Sequence, residues 1–131
     1  MRRLEGPEIS GYDVTSAAVA KRVRIVRVPL LAPGADGMTI GPFIFLRRDD
    51  DRSGTREVIS HELVHVQQFM ELGPCRFLGR YVRDYLTALR RLRNHHQAYL
   101  AIPFEAEARD IAAQWAHPSP AAPYSALAHR R

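Results

Sequence analysis

From Arg22 to Leu31 apolar and polar residues alternate, with Arg22, Arg24 and Arg27 set among Val23, Ile25, Val26 and Val28. Residues two apart share a face in an extended chain. The spacing therefore predicts a strand with one buried face and a small irregularity near Ile25-Val26. Pro33-Gly34-Ala35-Asp36-Gly37 is a turn cluster. Met38–Arg47 then reads as a second strand, the antiparallel return of a hairpin, with Gly41-Pro42 marking a bulge or an edge. Arg48–Gly54 is a charged loop whose Asp50, Asp51 or Ser53 can cap the next helix. The rhythm changes at Thr55. Thr55–Leu72 contains neither Gly nor Pro, and Val58, Ile59, Leu63, Val64, Val66 and Phe69 make it apolar nearly all round. A helix of that kind is buried.

Gly73-Pro74 ends this helix with a glycine and a breaker. The next, over about Arg76–Arg93, has two faces: Phe77, Tyr81, Tyr85, Ala88 and Leu92 at core spacing, and Arg76, Arg80, Arg83 and Arg90 on a solvated side. Asn94 with Gln97 resembles a capping box for a short turn over His95–Leu100, and Pro103 suits the first position of a last helix to about Ala116. Ahead of the strands, Thr15 or Ser16 can cap a short helix through Ala20. Residues 1–13 are polar, with Gly6-Pro7 and Gly11, and read as an irregular arm. Residues 117–131 are rich in Pro and Ala and read as a flexible tail. The expectation is α+β: one domain over 14–116, a small antiparallel hairpin or sheet packed on three main helices.

Composition changes this picture little. A chain of 131 residues has room for one modest core, and its 46% hydrophobic and 25% charged residues are those of an ordinary globular domain. The formal net charge is +5, and all but one of the 19 basic residues are Arg. That balance suits nucleic acid or acidic membranes, but equally a GC-rich genome. The single cysteine, Cys75, excludes an intrachain disulfide, and a buried structural role is expected for it. Met1-Arg2-Arg3 is followed by no apolar run of signal-peptide length, and no stretch approaches a membrane span, so a cytoplasmic location is expected.

The chemistry sits in the buried helix, at His61-Glu62-Leu63-Val64-His65. Two histidines four apart lie on one helical face, about one turn or roughly 6 Å from each other, so both imidazoles can bind one Zn²⁺. Glu62 stands where its carboxylate can take a proton from water activated there. This is the HExxH pattern. Burying two histidines and a glutamate without partners is costly, and a metal is the simplest partner for all three.

A catalytic zinc site needs a third protein ligand. A glycine at 68 and a histidine at 71 would supply one, but the chain has Gln68 and Glu71, and without glycine the helix cannot turn back sharply enough. The downstream candidates are His95, His96, Glu105, Glu107 and Asp110. Glu105 adjoins the apolar stripe Phe104-Ala108-Ile111-Trp115 and points toward the core, whereas Glu107 shares a face with Asp110 and Gln114. Glu105 is therefore favoured, with Glu107 or a histidine of His95-His96 as alternatives.

HELVHVQQF, preceded by Gly-Met-Thr-Ile-Gly and Ile-Phe-Leu and followed by Ala-Tyr-Leu-Ala-Ile-Pro-Phe-Glu-Ala-Glu-Ala-Arg, resembles the small gluzincin-type zincins of bacteria. More closely, it is similar to a group of minimal zincin-like proteins of actinobacteria, over roughly residues 22–115. The resemblance implies a metallopeptidase in which His61, His65 and Glu105 hold Zn²⁺ and Glu62 is the general base. It further implies an edge strand, here Met38–Leu46, along which a substrate peptide lies extended. Two departures stand out. Larger gluzincins often carry Asp four residues after the ligand Glu, where this chain has Arg109. The chain is also far shorter than secreted peptidases of this fold, which leaves the second wall of a cleft in question. Tyr99 is named as the donor for the oxyanion, with Tyr85, His95 and His96 as other candidates. The competing readings are a non-catalytic protein whose zinc is structural, and an Arg-rich nucleic-acid binder.

Overall fold

The structure is a computed structural model that describes residues 1–32 and 35–118. Its elements run β1 (Arg2–Arg3), α1 (Gly6–Gly11), α2 (Ala17–Arg22), β2 (Arg24–Arg27), β3 (Gly37–Ile40), β4 (Phe43–Leu46), α3 (Glu57–Leu72), α4 (Pro74–Leu92), α5 (His95–Ala101) and α6 (Pro103–Ala116). The class is α+β, with the histidine pair on the first long helix, as the sequence predicts. Among the described residues the strands form one mixed sheet in the order β1-β2-β4-β3. The sheet packs on one side of α3, and α6 covers α3 from the other. Ile25, Ile44, Leu46, Ile59, Leu63 and Val66 fill the space between and are fully buried. No helix among the described residues is long and apolar enough to cross a membrane.

The sheet departs from a simple hairpin. β2 pairs with β4 in parallel, with Ile25 opposite Ile44, and the hairpin is β3 with β4, turning at Gly41-Pro42. Met38–Arg47 is thus two strands. Alternation of side chains fixes which face of a strand is buried but not which strand lies beside it, so the pairing was beyond the pattern. β3, not the whole of Met38–Leu46, forms one edge of the sheet, and β1 forms the other.

Residues 1–13 are not an irregular arm. β1 pairs antiparallel with β2, α1 follows, and Leu4, Glu8 and Tyr12 are buried. The polar residues here are partners for one another. Arg2 donates from Nε and Nη2 to Asp49 at 2.6 and 2.7 Å, and from Nη1 and Nη2 to Glu8 at 2.6 and 3.0 Å. Glu8 also accepts from the Glu5 backbone N–H at 2.9 Å, closing a capping box on α1. Tyr12 reaches the start of α3, where its hydroxyl accepts from the Arg56 N–H at 3.0 Å. That bond replaces the expected cap. Asp51 instead turns back on Ser53, and α3 begins at Glu57 without a side-chain cap from its N-cap residue, Arg56. Gly54 makes the approach possible: it has φ +88°, and a Cβ there would come within 2.4 Å of the Pro7 carbonyl oxygen.

The remaining helices follow their local signals. Ser16 caps α2, Asn94 caps α5, and Pro103 opens α6. α4 buries Phe77 and Ala88 while its arginines face out. Cys75, at the start of α4, is exposed, because α4 stands off the core there; the buried role expected for it does not hold.

Candidate metal centre

α3 brings the chemistry to the centre of the molecule. His65 is buried and His61 keeps a partly open face, and their rings meet edge to face with centroids 4.9 Å apart. From α6, Glu105 points inward at the same spot. Its Oε1 lies 3.1 Å from Nε2 of His61 and 3.1 Å from Nε2 of His65. One donor atom from each of the three residues falls within 4.8 Å of the others. Ligand atoms around a tetrahedral ion with bonds of about 2.05 Å sit roughly 3.3 Å apart, so the two nitrogen–oxygen separations fit one small divalent cation. Two imidazoles and a carboxylate form a donor set suited to such an ion. Among the described residues, this cluster could hold a metal.

Glu105 is held in place by hydroxyls as well. Tyr81 of α4 donates to Oε2 at 2.7 Å, and Tyr99 of α5 donates to Oε1 at 2.9 Å. Four helices thus converge on one carboxylate. Burial alone would push the Glu105 pKa up, but the hydrogen bonds from His61 and His65 and the charge of His65 hold it well below the usual carboxylate range. Burial works against a charged His65 too, yet the hydrogen bond and charge of Glu105 raise its pKa. Both tyrosines are pushed well above the ordinary phenol value, by burial and by the Glu105 carboxylate, so they remain donors.

Behind His65 stands Gln68. Its Oε1 accepts from His65 Nδ1 at 2.8 Å, while its Nε2 donates to the Phe104 carbonyl at 3.0 Å and to Glu107 at 2.9 Å. Arg109 donates to the Leu100 carbonyl and ties α5 to α6. Glu107 therefore lies one step behind the donor cluster. His95 and His96 are exposed on α5, with the Tyr85 hydroxyl 2.6 Å from His95 Nδ1.

Glu62 faces the other way round the helix, toward the sheet edge. Thr39 of β3 donates to its Oε2 at 2.7 Å and to its backbone carbonyl at 3.2 Å. Gly37 leaves room for the carboxylate: a Cβ there would lie 3.0 Å from Glu62 Cγ. Glu62, His65, Tyr99 and Glu105 all line one cavity of about 490 Å³. β3 borders it through Met38 and Ile40, and α4 and α5 border it through Phe77, Leu78, Tyr81 and the two α5 histidines. A volume of this order is typical of ligand sites. α4 and α5 thus form the side of the cavity opposite β3.

Of the residues singled out from sequence, His61, His65 and Glu105 come together, with Tyr99 touching them and Glu62 on the same cavity. Tyr81, Gln68 and Thr39 were not foreseen. Gln68 had a usable signal, being three residues beyond His65 on one helical face. Tyr81 and Thr39 had none, since they arrive from other elements.

Residues 20–72 match the family model described as the eCIS core domain. The match covers less than half of the chain, from the end of α2 through α3. It takes in His61, Glu62 and His65 and stops before Tyr81, Tyr99 and Glu105. No curated protein and no solved structure gives a significant match to the chain.

Proposed function

We propose that this chain is a zinc-dependent, zincin-like metallopeptidase acting on extended polypeptide. The observation that carries the reading is the convergence of His61, His65 and Glu105 donor atoms within 4.8 Å, with His65, Glu105 and Glu62 lining one cavity. Zinc bound there would supply a Lewis acid for a carbonyl and a water whose pKa is lowered to about 7. Glu62 takes the proton of the attacking water and returns it to the leaving amine. Thr39 orients that carboxylate by its hydrogen bond to Oε2. Tyr99, whose one hydroxyl hydrogen is donated to Glu105 Oε1 in the free protein, turns it to the oxyanion as that charge develops. The open edge of β3 offers backbone groups to an extended substrate, which α4 and α5 cover from the other side.

The test begins with metal content. Purified protein is expected to carry about one zinc per chain, and His61→Ala and Glu105→Ala are expected to lose it. Glu62→Gln should keep zinc and fail to cleave unfolded protein or peptide libraries. A second reading has its own support: Glu105 ties α3, α4, α5 and α6 together, as a structural metal site would. That reading takes over if the wild type binds zinc but cleaves nothing, and if metal removal mainly lowers the melting temperature.

A further inference from the structure

Resting on the metal-centre reading, we propose that Gln68 is a positioning residue that fixes the tautomer of His65, so that Nε2 presents its lone pair to the ion. The amide of Gln68 is 2% exposed and has no freedom to flip. Its NH₂ group faces the Phe104 carbonyl and the Glu107 carboxylate, both of which only accept. Rotating the amide would set its oxygen against two other oxygens and lose both of the hydrogen bonds that its NH₂ group donates. Gln68 Oε1 must therefore face His65 Nδ1, and an amide oxygen can only accept. Nδ1 carries the hydrogen.

The consequence falls on the far side of the ring. In the neutral imidazole with hydrogen on Nδ1, Nε2 is a lone pair, and it stands 3.1 Å from Glu105 Oε1. A second hydrogen on Nε2, as in the imidazolium, donates to that oxygen; a bound metal cation takes the place of this one hydrogen and leaves Nδ1–H on Gln68. The arrangement runs from α6 through Gln68 and His65 back to α6 at Glu105, so one helix supplies both the ligand carboxylate and the anchor for the histidine's orientation. Arg109 is engaged elsewhere and cannot fill this role. Groups that orient a ligand histidine typically contribute 10- to 100-fold in metal affinity.

Two measurements on the full chain test this. In histidine-¹⁵N-labelled, zinc-loaded wild type, His65 is expected as the Nδ1–H tautomer with a slowly exchanging ring proton. In Gln68→Met, zinc affinity by chelator competition is expected to fall about 10- to 100-fold, and the absorption spectrum of the cobalt-substituted protein to change. An Nε2–H tautomer in the wild type overturns the proposal, and this readout decides alone if the variant does not fold. Unchanged affinity and spectrum in folded Gln68→Met overturn it while leaving the metal centre standing. Wild type that takes up no zinc overturns the metal-centre reading itself and the tautomer role with it.

Discussion

Glu105 Oε1 accepts one hydrogen bond from Tyr99 and faces both histidine Nε2 atoms, while Oε2 accepts from Tyr81. The two oxygens therefore have different jobs: one faces the two histidines, the other anchors the group. Tyr81→Phe keeps the ring that packs on Phe77 but removes the anchor. Zinc affinity measured by chelator competition is expected to drop roughly tenfold, with a loss of only about 1 kcal/mol in thermal stability of the metal-free chain. A drop as large as that of Glu105→Ala would mean that Tyr81 positions more than this one oxygen. At this scale the sequence showed half of the site. His61, Glu62 and His65 are readable because one helix sets their spacing, and Glu105 because helical phase turns it inward. Tyr81 carried no mark that separates a core tyrosine from one that anchors a ligand, since that difference depends on what α6 brings to it.

Among the elements, β3 is the one that holds Glu62 in place. It is one of the sheet's two edges, and its Gly37 and Thr39 lie against Glu62. Gly37→Ala puts a Cβ 3.0 Å from Glu62 Cγ, close enough that the glutamate must shift. Peptide cleavage is expected to fall about 10- to 100-fold while zinc content stays at the wild-type level, a split readable by assay and metal analysis together. Thr39→Val should act in the same direction. Helix boundaries were largely legible, because caps and breakers act within a few residues: Ser16, Gly73-Pro74, Asn94 and Pro103 all mark ends where expected. Strand partners were not. The parallel pairing of β2 with β4 joins segments separated by β3, and nothing in either strand's alternation encodes it.

For the whole molecule, the N-terminal segment is a clamp. It pairs with β2, caps the start of α3 through Tyr12, and receives a hydrogen bond from Trp115 of α6 at Gly11. Arg2 binds two carboxylates, and Glu8 is completely buried. Removing one partner of such a cluster leaves buried charge unpaired, so Arg2→Met is expected to cost about 3 kcal/mol in denaturant unfolding at neutral pH. Its hydrogen bonds hold the Asp49 carboxyl below the ordinary value of 3.8. A depressed carboxyl contributes stability above that value and loses it as pH falls through the folded one. The deficit of Arg2→Met should accordingly be full at pH 7 and narrow below about pH 4. A deficit independent of pH would locate the loss in packing instead. Polar composition hid this segment, since charges that meet each other read the same as charges that meet water.

The bare rim of β3, with Met38 and Ile40 turned outward, has a cost in crowded solution. A strand that welcomes a foreign chain also welcomes its twin, and two molecules joined rim to rim would each close the other's mouth. Turnover per molecule should then decline as the preparation is concentrated and recover on dilution. A lysine in place of Ile40 should abolish that dependence.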